Sequence, residues 1–156
     1  MPKAHVSWTG DMKFSGIDEN GHVLLMEASP QYGGIGEGVT PVELLLSALG
    51  GCAGVAIVTM LRHRGQNLIS LDVDLEGVKK ITVPRMFETV KAKFYLKGDF
   101  DEKVVESVVD LVMTNISPVA EMLSGPTDLK WDYEITKISK EKVQAEQLPK
   151  TTIDQE

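Results

Sequence analysis

Residues 47 to 56, SALGGCAGVA, set the chain's single cysteine in an apolar run, with Gly50 and Gly51 before it and Gly54 after it. Once ionised, a thiol is a nucleophile and a redox centre, because only the thiolate attacks. Each glycine inside a helix costs about 1 kcal/mol against alanine, so three in five positions call for a reason, and space around Cys52 would be one. The apolar neighbours also suit a cysteine that is only a small core residue; the residues alone leave both roles open. One cysteine closes no intrachain disulfide and leaves no Cys-x-x-Cys or Cys-His cluster for zinc. The three histidines, His5, His22 and His63, stand far apart, so neither a metal site nor a cofactor is expected.

An activating group is not supplied by the segment that carries Cys52. If that segment is helical, His63 returns to the same face 11 residues on but about 16 Å along the axis, and Glu43, nine residues back, falls on the opposite face. The activator must come from another segment or another chain.

The helix itself is well marked. Thr40-Pro41-Val42-Glu43 reads as a capping box with proline at the first helical position. Arg62 and Arg64 suit the negative end of the helix dipole, and Gly65 stops the helix. Leu44 to Leu61 is 18 residues without a charge, which is the lower limit for a membrane span, and Gly50 to Gly54 spells the Gly-x-x-x-Gly packing motif. Both flanks alternate in polarity like strands, so a buried helix is expected and no membrane. The preceding QYGGIGEG, residues 31 to 38, lacks the third glycine of a dinucleotide fingerprint, since Val39 stands there, and no Gly-Lys-Ser/Thr follows; a flexible loop is expected.

Around the helix the pattern is that of sheets. Val6 and Trp8, Met12 and Phe14, and Val23 to Met26, divided at Thr9-Gly10 and Glu19-Asn20-Gly21, predict a three-strand meander. Leu71, Val73 and Leu75 alternate with Asp72, Asp74 and Glu76, and Val90 to Leu96 alternate with Lys91, Lys93, Tyr95 and Lys97. Paired, these two strands would set an acidic outer row against a basic one. A second, amphipathic helix is expected from Asp101, breaking near Asn115. Ser117-Pro118 reads as the cap and first residue of a short helix to Leu123, and Leu129 to Ile135 is a last strand. The expected organisation is a single domain over residues 1–137 and a polar tail over 138–156.

With 42% hydrophobic and 25% charged residues the chain of 156 residues is rich enough to bury a core. Its net charge of −7 and only three arginines, Arg62, Arg64 and Arg85, argue against nucleic acid as a partner. No apolar stretch of signal-peptide length opens the chain, and a cytoplasmic location is expected.

The string TPVELLLSALGGCAG, then PRMF at residues 84 to 87 and ISPVAEML at residues 116 to 123, in that order, resemble the OsmC/Ohr family of small thiol-dependent hydroperoxide-detoxifying proteins (osmotically inducible protein C and organic hydroperoxide resistance). The likeness covers residues 5 to about 136 and is nearest the OsmC-like branch, for which VSWTGDMKFSGIDENGHVLLME is also typical. It implies an α+β fold, an intertwined homodimer in which antiparallel sheets wrap long central helices, with the reactive cysteine near the subunit interface. Gly50, Gly51 and Gly54 would then let a neighbouring backbone approach and leave a slot beside the sulfur. The implied reaction is attack of the Cys52 thiolate on an organic hydroperoxide, giving a sulfenic acid.

Three positions depart from the family pattern. The resolving cysteine before Pro-Val is matched by Ser117, so reduction would need an external thiol. The family's glutamate after the helix-starting proline falls on Val42, with Glu43 one position on. Its N-terminal arginine has no counterpart in the first 61 residues, which leaves Arg85 as the replacement, or as a plain turn residue. The candidate catalytic residues are thus Cys52, Arg85 and Glu43. The expected function is a one-cysteine thiol peroxidase; the alternative is a noncatalytic member that binds a small apolar ligand at the dimer interface.

Overall fold

The computed structural model describes residues 1–139; the expected tail lies, from residue 140 on, outside the described residues. The chain divides into two compact units, residues 1–47 and 48 onward.

The first unit is the meander. Strands β1 (Ala4–Gly10), β2 (Lys13–Asp18) and β3 (Val23–Glu27) pair antiparallel in that order. Gly10 and Asp11 turn the chain in the left-handed region, at φ 114° and 45°, and the Trp8 indole Nε1–H donates to the Asp11 carbonyl across the turn at 2.8 Å. The second turn is an Asx turn, in which the Asp18 carboxylate accepts from the backbone N–H groups of Asn20 and His22 at 2.9 and 2.8 Å. Pairing Trp8 with Phe14, and Phe14 with Met26, puts Val6, Trp8, Phe14, Leu24 and Met26 on one face. That face is apolar and open, with Trp8 67% exposed.

The second unit holds a sheet of β4 (Asn67–Lys79), β5 (Phe87–Asp99) and β6 (Asp128–Lys137), with β5 central. The acidic and basic rows oppose each other as their alternation predicts: Asp74 pairs with Lys93 and Glu76 with Lys91. The other face carries Leu71, Val73 and Leu75 opposite Leu96, Phe94 and Ala92. Helix α2 (Glu102–Leu111) buries Val105, Val108 and Val109, each worth roughly 1.5–3 kcal/mol against exposure. Asp101 caps it by accepting from Lys103 N–H at 2.9 Å. The break near Asn115 is a π-helical turn over Val112–Ile116, after which α3 spans Pro118–Ser124.

One pairing departs from the antiparallel expectation: β5 and β6 run parallel. The reason is the connection. Parallel neighbours need a crossover, which α2, the π turn and α3 supply between the two strands.

Helix α1 (Pro41–His63) joins the two units. The capping box forms at its start: Thr40 N–H donates to Glu43 Oε2 at 3.0 Å, and Glu43 N–H to Thr40 Oγ1 at 3.3 Å. At its end Gly65, with φ 68°, makes a Schellman motif, in which Gln66 N–H donates to Leu61 O and Gly65 N–H to Arg62 O, both at 3.0 Å.

Candidate functional site

Cys52 sits in α1 at the border between two surfaces. On one side Leu49, Gly50, Ala53, Ile57 and Leu61 are buried. On the other, Gly51, Val55 and Thr59 are exposed, Val55 by 70%. The thiol is free and half-buried, so the surroundings expected to be dry are dry on one side only. By length and composition α1 could cross a membrane, with a mean hydropathy of 2.2, and only 28% of its most apolar window is buried within the chain, so the buried helix expected from the sequence is not buried by the single chain alone.

The three glycines have different reasons. A Cβ on Gly50 would lie 2.6 Å from Leu75 Cδ1, so β4 comes too close for any other residue to fit without a shift. A Cβ on Gly54 would meet Leu71 Cδ2 at 3.7 Å, an ordinary contact, and one on Gly51 would meet nothing within 4 Å. Inside the chain, then, the close approach is a β4 side chain at one glycine rather than a backbone at all three. Gly50→Val is expected to cost about 1–3 kcal/mol by overpacking, read as a lower urea midpoint at every protein concentration. Gly51→Val should leave the packing of the single chain alone and act only through whatever covers the open side, so its loss of stability should vary with concentration. Equal, concentration-independent losses in the two variants would overturn this distinction.

The other candidates are engaged as follows. Glu43 closes the cap of α1, where its carboxylate accepts from both the N–H and the hydroxyl of Thr40, the latter at 2.7 Å. Arg85 is exposed on the loop between β4 and β5, where Met86 N–H donates back to Pro84 O at 2.8 Å and Lys80 N–H to Met86 O at 2.9 Å. Ser117 is 2% exposed and caps α3, its Oγ accepting from Ala120 N–H at 3.3 Å. Among the described residues no three His, Cys, Asp or Glu side chains cluster as a metal site would require.

A groove of about 430 Å³ lies on the charged outer face of the second sheet, lined by Asp74, Glu76, Lys91, Lys93, Tyr95 and Lys130 among others. Its lysines face carboxylates: Lys93 Nζ is 3.2 Å from Glu134 and 4.9 Å from the centre of the Tyr95 ring. The Glu134 hydrogen bond raises the Lys93 pKa, and the groove reads as a solvated lattice of charge.

Sequence reasoning missed Glu27. It is 2% exposed at the end of β3, and the glycine-rich loop folds around it. Ile35 N–H donates to its Oε2 at 3.2 Å. Burial pushes its carboxyl up, but the backbone N–H groups of Ile35, Gly38, Gly36 and Glu37 outweigh this and hold its pKa below the ordinary carboxylate value. The available signal was an acid closing an apolar strand, with four glycines, Gly33, Gly34, Gly36 and Gly38, beginning six residues on.

A long apolar helix that carries one cysteine and is joined to two three-stranded sheets defines a small thiol-bearing α+β protein. The chain belongs to the OsmC family: residues 34–132 match its model, described as OsmC-like protein. It is 29% identical over 134 residues to protein YhfA of Escherichia coli strain K12, covering 85% of this chain and 97% of that protein. A crystal structure of a protein from Aquifex aeolicus VF5 superposes with a TM-score of 0.80 at 22% identity, covering 89% of this chain and 98% of that one. An organic hydroperoxide resistance protein OsmC from Legionella pneumophila, described as a predicted redox protein, superposes with a TM-score of 0.69 at 18% identity over 86% and 96% of the two chains. The OsmC/Ohr fold expected from the sequence is therefore the fold of this chain.

Proposed function

We propose that this protein is a homodimeric thiol peroxidase of one cysteine, in which Cys52 reduces small organic hydroperoxides and an external thiol restores it. The observation that carries the reading is a half-buried free thiol at the edge of an open strip of Gly51, Val55 and Thr59 on an apolar helix. The thiolate attacks one peroxide oxygen, the O–O bond breaks, the alcohol leaves after taking a proton, and the sulfur is left as sulfenic acid. A first external thiol condenses with it, releasing water and forming a mixed disulfide. A second displaces that disulfide and returns the thiolate. Arg85 is the cation assigned to hold the thiolate. Glu43 keeps the helix start in place. A single OsmC-like domain acting in the cytoplasm, where thiol reductants are abundant, accords with this chemistry.

The dimer rests on uncovered apolar surface. Within residues 1–47 the sheet face that carries Val6, Trp8 and Phe14 is open, Trp8 by 67%, within the second unit Val55 is 70% exposed, and apolar surface left uncovered marks interfaces. A second copy has the matching surface by symmetry. A second reading, a noncatalytic apolar-ligand binder, is favoured by Ser117, a buried cap where a resolving cysteine would stand.

Two measurements decide. Alkylation of Cys52 followed against pH is expected to show a thiolate near neutrality, together with hydroperoxide consumption lost in Cys52→Ser; a thiol that stays protonated and inert favours the binder. Sedimentation equilibrium is expected to give a dimer, and a folded monomer at micromolar concentration would refute that part.

A further inference from the structure

Among the described residues Glu27 is the one charged side chain less than a tenth exposed. The backbone groups that bond it, from Ile35 to Val39, belong like Glu27 itself to the unit of residues 1–47. Its carboxylate faces backbone N–H groups from Ile35 to Gly38, a run of donors of the kind that forms an anion-binding concavity. Here the anion is internal.

The loop is built to reach it. Gly33 and Gly36 have φ 93° and 83°. A Cβ on Gly34 would lie 1.7 Å from the Ala28 carbonyl oxygen, and one on Gly38 would lie 3.0 to 3.2 Å from the backbone of Leu25 to Glu27. Glu27 N–H donates to Val39 O at 3.1 Å and Val39 N–H to Leu25 O at 3.3 Å, so the loop ends as a short parallel bridge beside β3. Thr40 and the cap of α1 follow at once.

We infer that the Glu27 carboxylate is a positioning group: it latches the glycine-rich loop to β3, thereby fixes the direction in which the three-stranded sheet leaves the start of α1, and makes association of two copies depend on that latch. The association half rests on the dimer proposed above; the latch does not. The charged groups around it are Lys13 on β2, which is paired with Glu37 of the loop, and Asp11 in the β1–β2 turn. Lys13 and the N–H donors favour the ionised form. Because the folded-state pKa lies below the ordinary 4.5, the latch is fully present above that value and is lost as pH falls through the lowered one.

The test is Glu27→Gln, which keeps the shape but turns one acceptor into an N–H₂ donor facing N–H donors. Hydrogen exchange of the amides of residues 35–39 is expected to quicken at least tenfold, those of β5 and α2 to stay as they were, and the dimer dissociation constant to rise at least tenfold. A merely structural role would not give the pH signature: wild-type loop exchange, corrected for the intrinsic rate, should converge on the variant's as pH falls through the lowered Glu27 value, while the variant stays level. Unchanged loop exchange in the variant overturns the latch, and a loosened loop with an unchanged dissociation constant overturns its link to association. A monomeric wild type would refute the dimer and the association half with it, leaving the exchange arm to decide the latch. If Glu27→Gln fails to fold, the wild-type pH series alone decides: no gain in loop exchange at any acid pH at which β5 and α2 stay protected overturns the latch.

Discussion

Gly98→Ala is expected to take away a large share of the protein's stability. An added Cβ there would stand 2.1 Å from the Asn67 carbonyl oxygen and 2.4 Å from Phe100 Cζ. The first of these is backbone, fixed where β4 begins and pairs with Asp99, and it cannot rotate away as a side-chain tip can. Gly98 O also accepts from Ile138 N–H at 2.9 Å, so moving β5 instead would strain its link to the end of β6. Overpacking commonly costs about 1–3 kcal/mol and more where the backbone must move. A loss beyond about 3 kcal/mol takes a large share of the 5–15 kcal/mol that holds a typical domain. Urea unfolding measures it directly. Gly54→Ala, with an ordinary 3.7 Å contact, is the control, expected to be neutral or to gain up to about 1 kcal/mol in helix propensity. A Gly98→Ala midpoint equal to wild type would mean that the start of β4 yields easily.

Ser117→Cys should redirect the fate of an oxidised Cys52. In the native chain the sulfenic acid meets no second cysteine, so excess hydroperoxide carries it on to sulfinic acid, a gain of two oxygens. With a thiol at residue 117 the same intermediate condenses, water leaves, and an intrachain disulfide forms with a net loss of two hydrogens. Closure requires Cα atoms within about 7 Å. The variant gives up the Ser117 cap of α3, a cost of about 1 kcal/mol, which leaves it folded. Intact-mass spectrometry after a hydroperoxide pulse separates the two products. A reactive native Cys52 with a variant that never closes would show that residue 117 does not stand beside it, and a native protein that gains no oxygen would refute the peroxidase.

What could be read in the sequence was local. Thr40 with Glu43, Ser117 before Pro118, and Gly65 each act within a turn of where they stand, and each makes the cap its spacing predicts. The lysine and carboxylate rows were legible because period-two alternation fixes the face and opposite charge fixes the partner. What escaped depends on distant backbone. The direction of β6 is set by how α2 and α3 carry the chain back, which no residue of β6 encodes. Gly50 and Gly51 look alike in sequence and differ only in whether Leu75 is near. Glu27 has no mark of its own in the sequence; it is buried only because the loop eight residues on closes over it. For Cys52 the sequence yields the helix and its apolar neighbours, whereas its half-open setting depends on packing against β4.

The parallel closure of β5 by β6 also orders events during synthesis. β4 and β5 adjoin in sequence and can pair as soon as both have emerged, but the other edge of β5 stays without its partner until residues 128–137 arrive, after the whole crossover of α2 and α3. Non-local pairing of this kind is slow, because the loop must be closed before the contact rewards it. During that interval a strand with Val90, Ala92, Phe94 and Leu96 on one face presents an open ladder to other nascent chains, a recognised route to aggregation. The lysines at 91, 93 and 97 on its other face are the charges placed to keep such neighbours apart until the strand is covered.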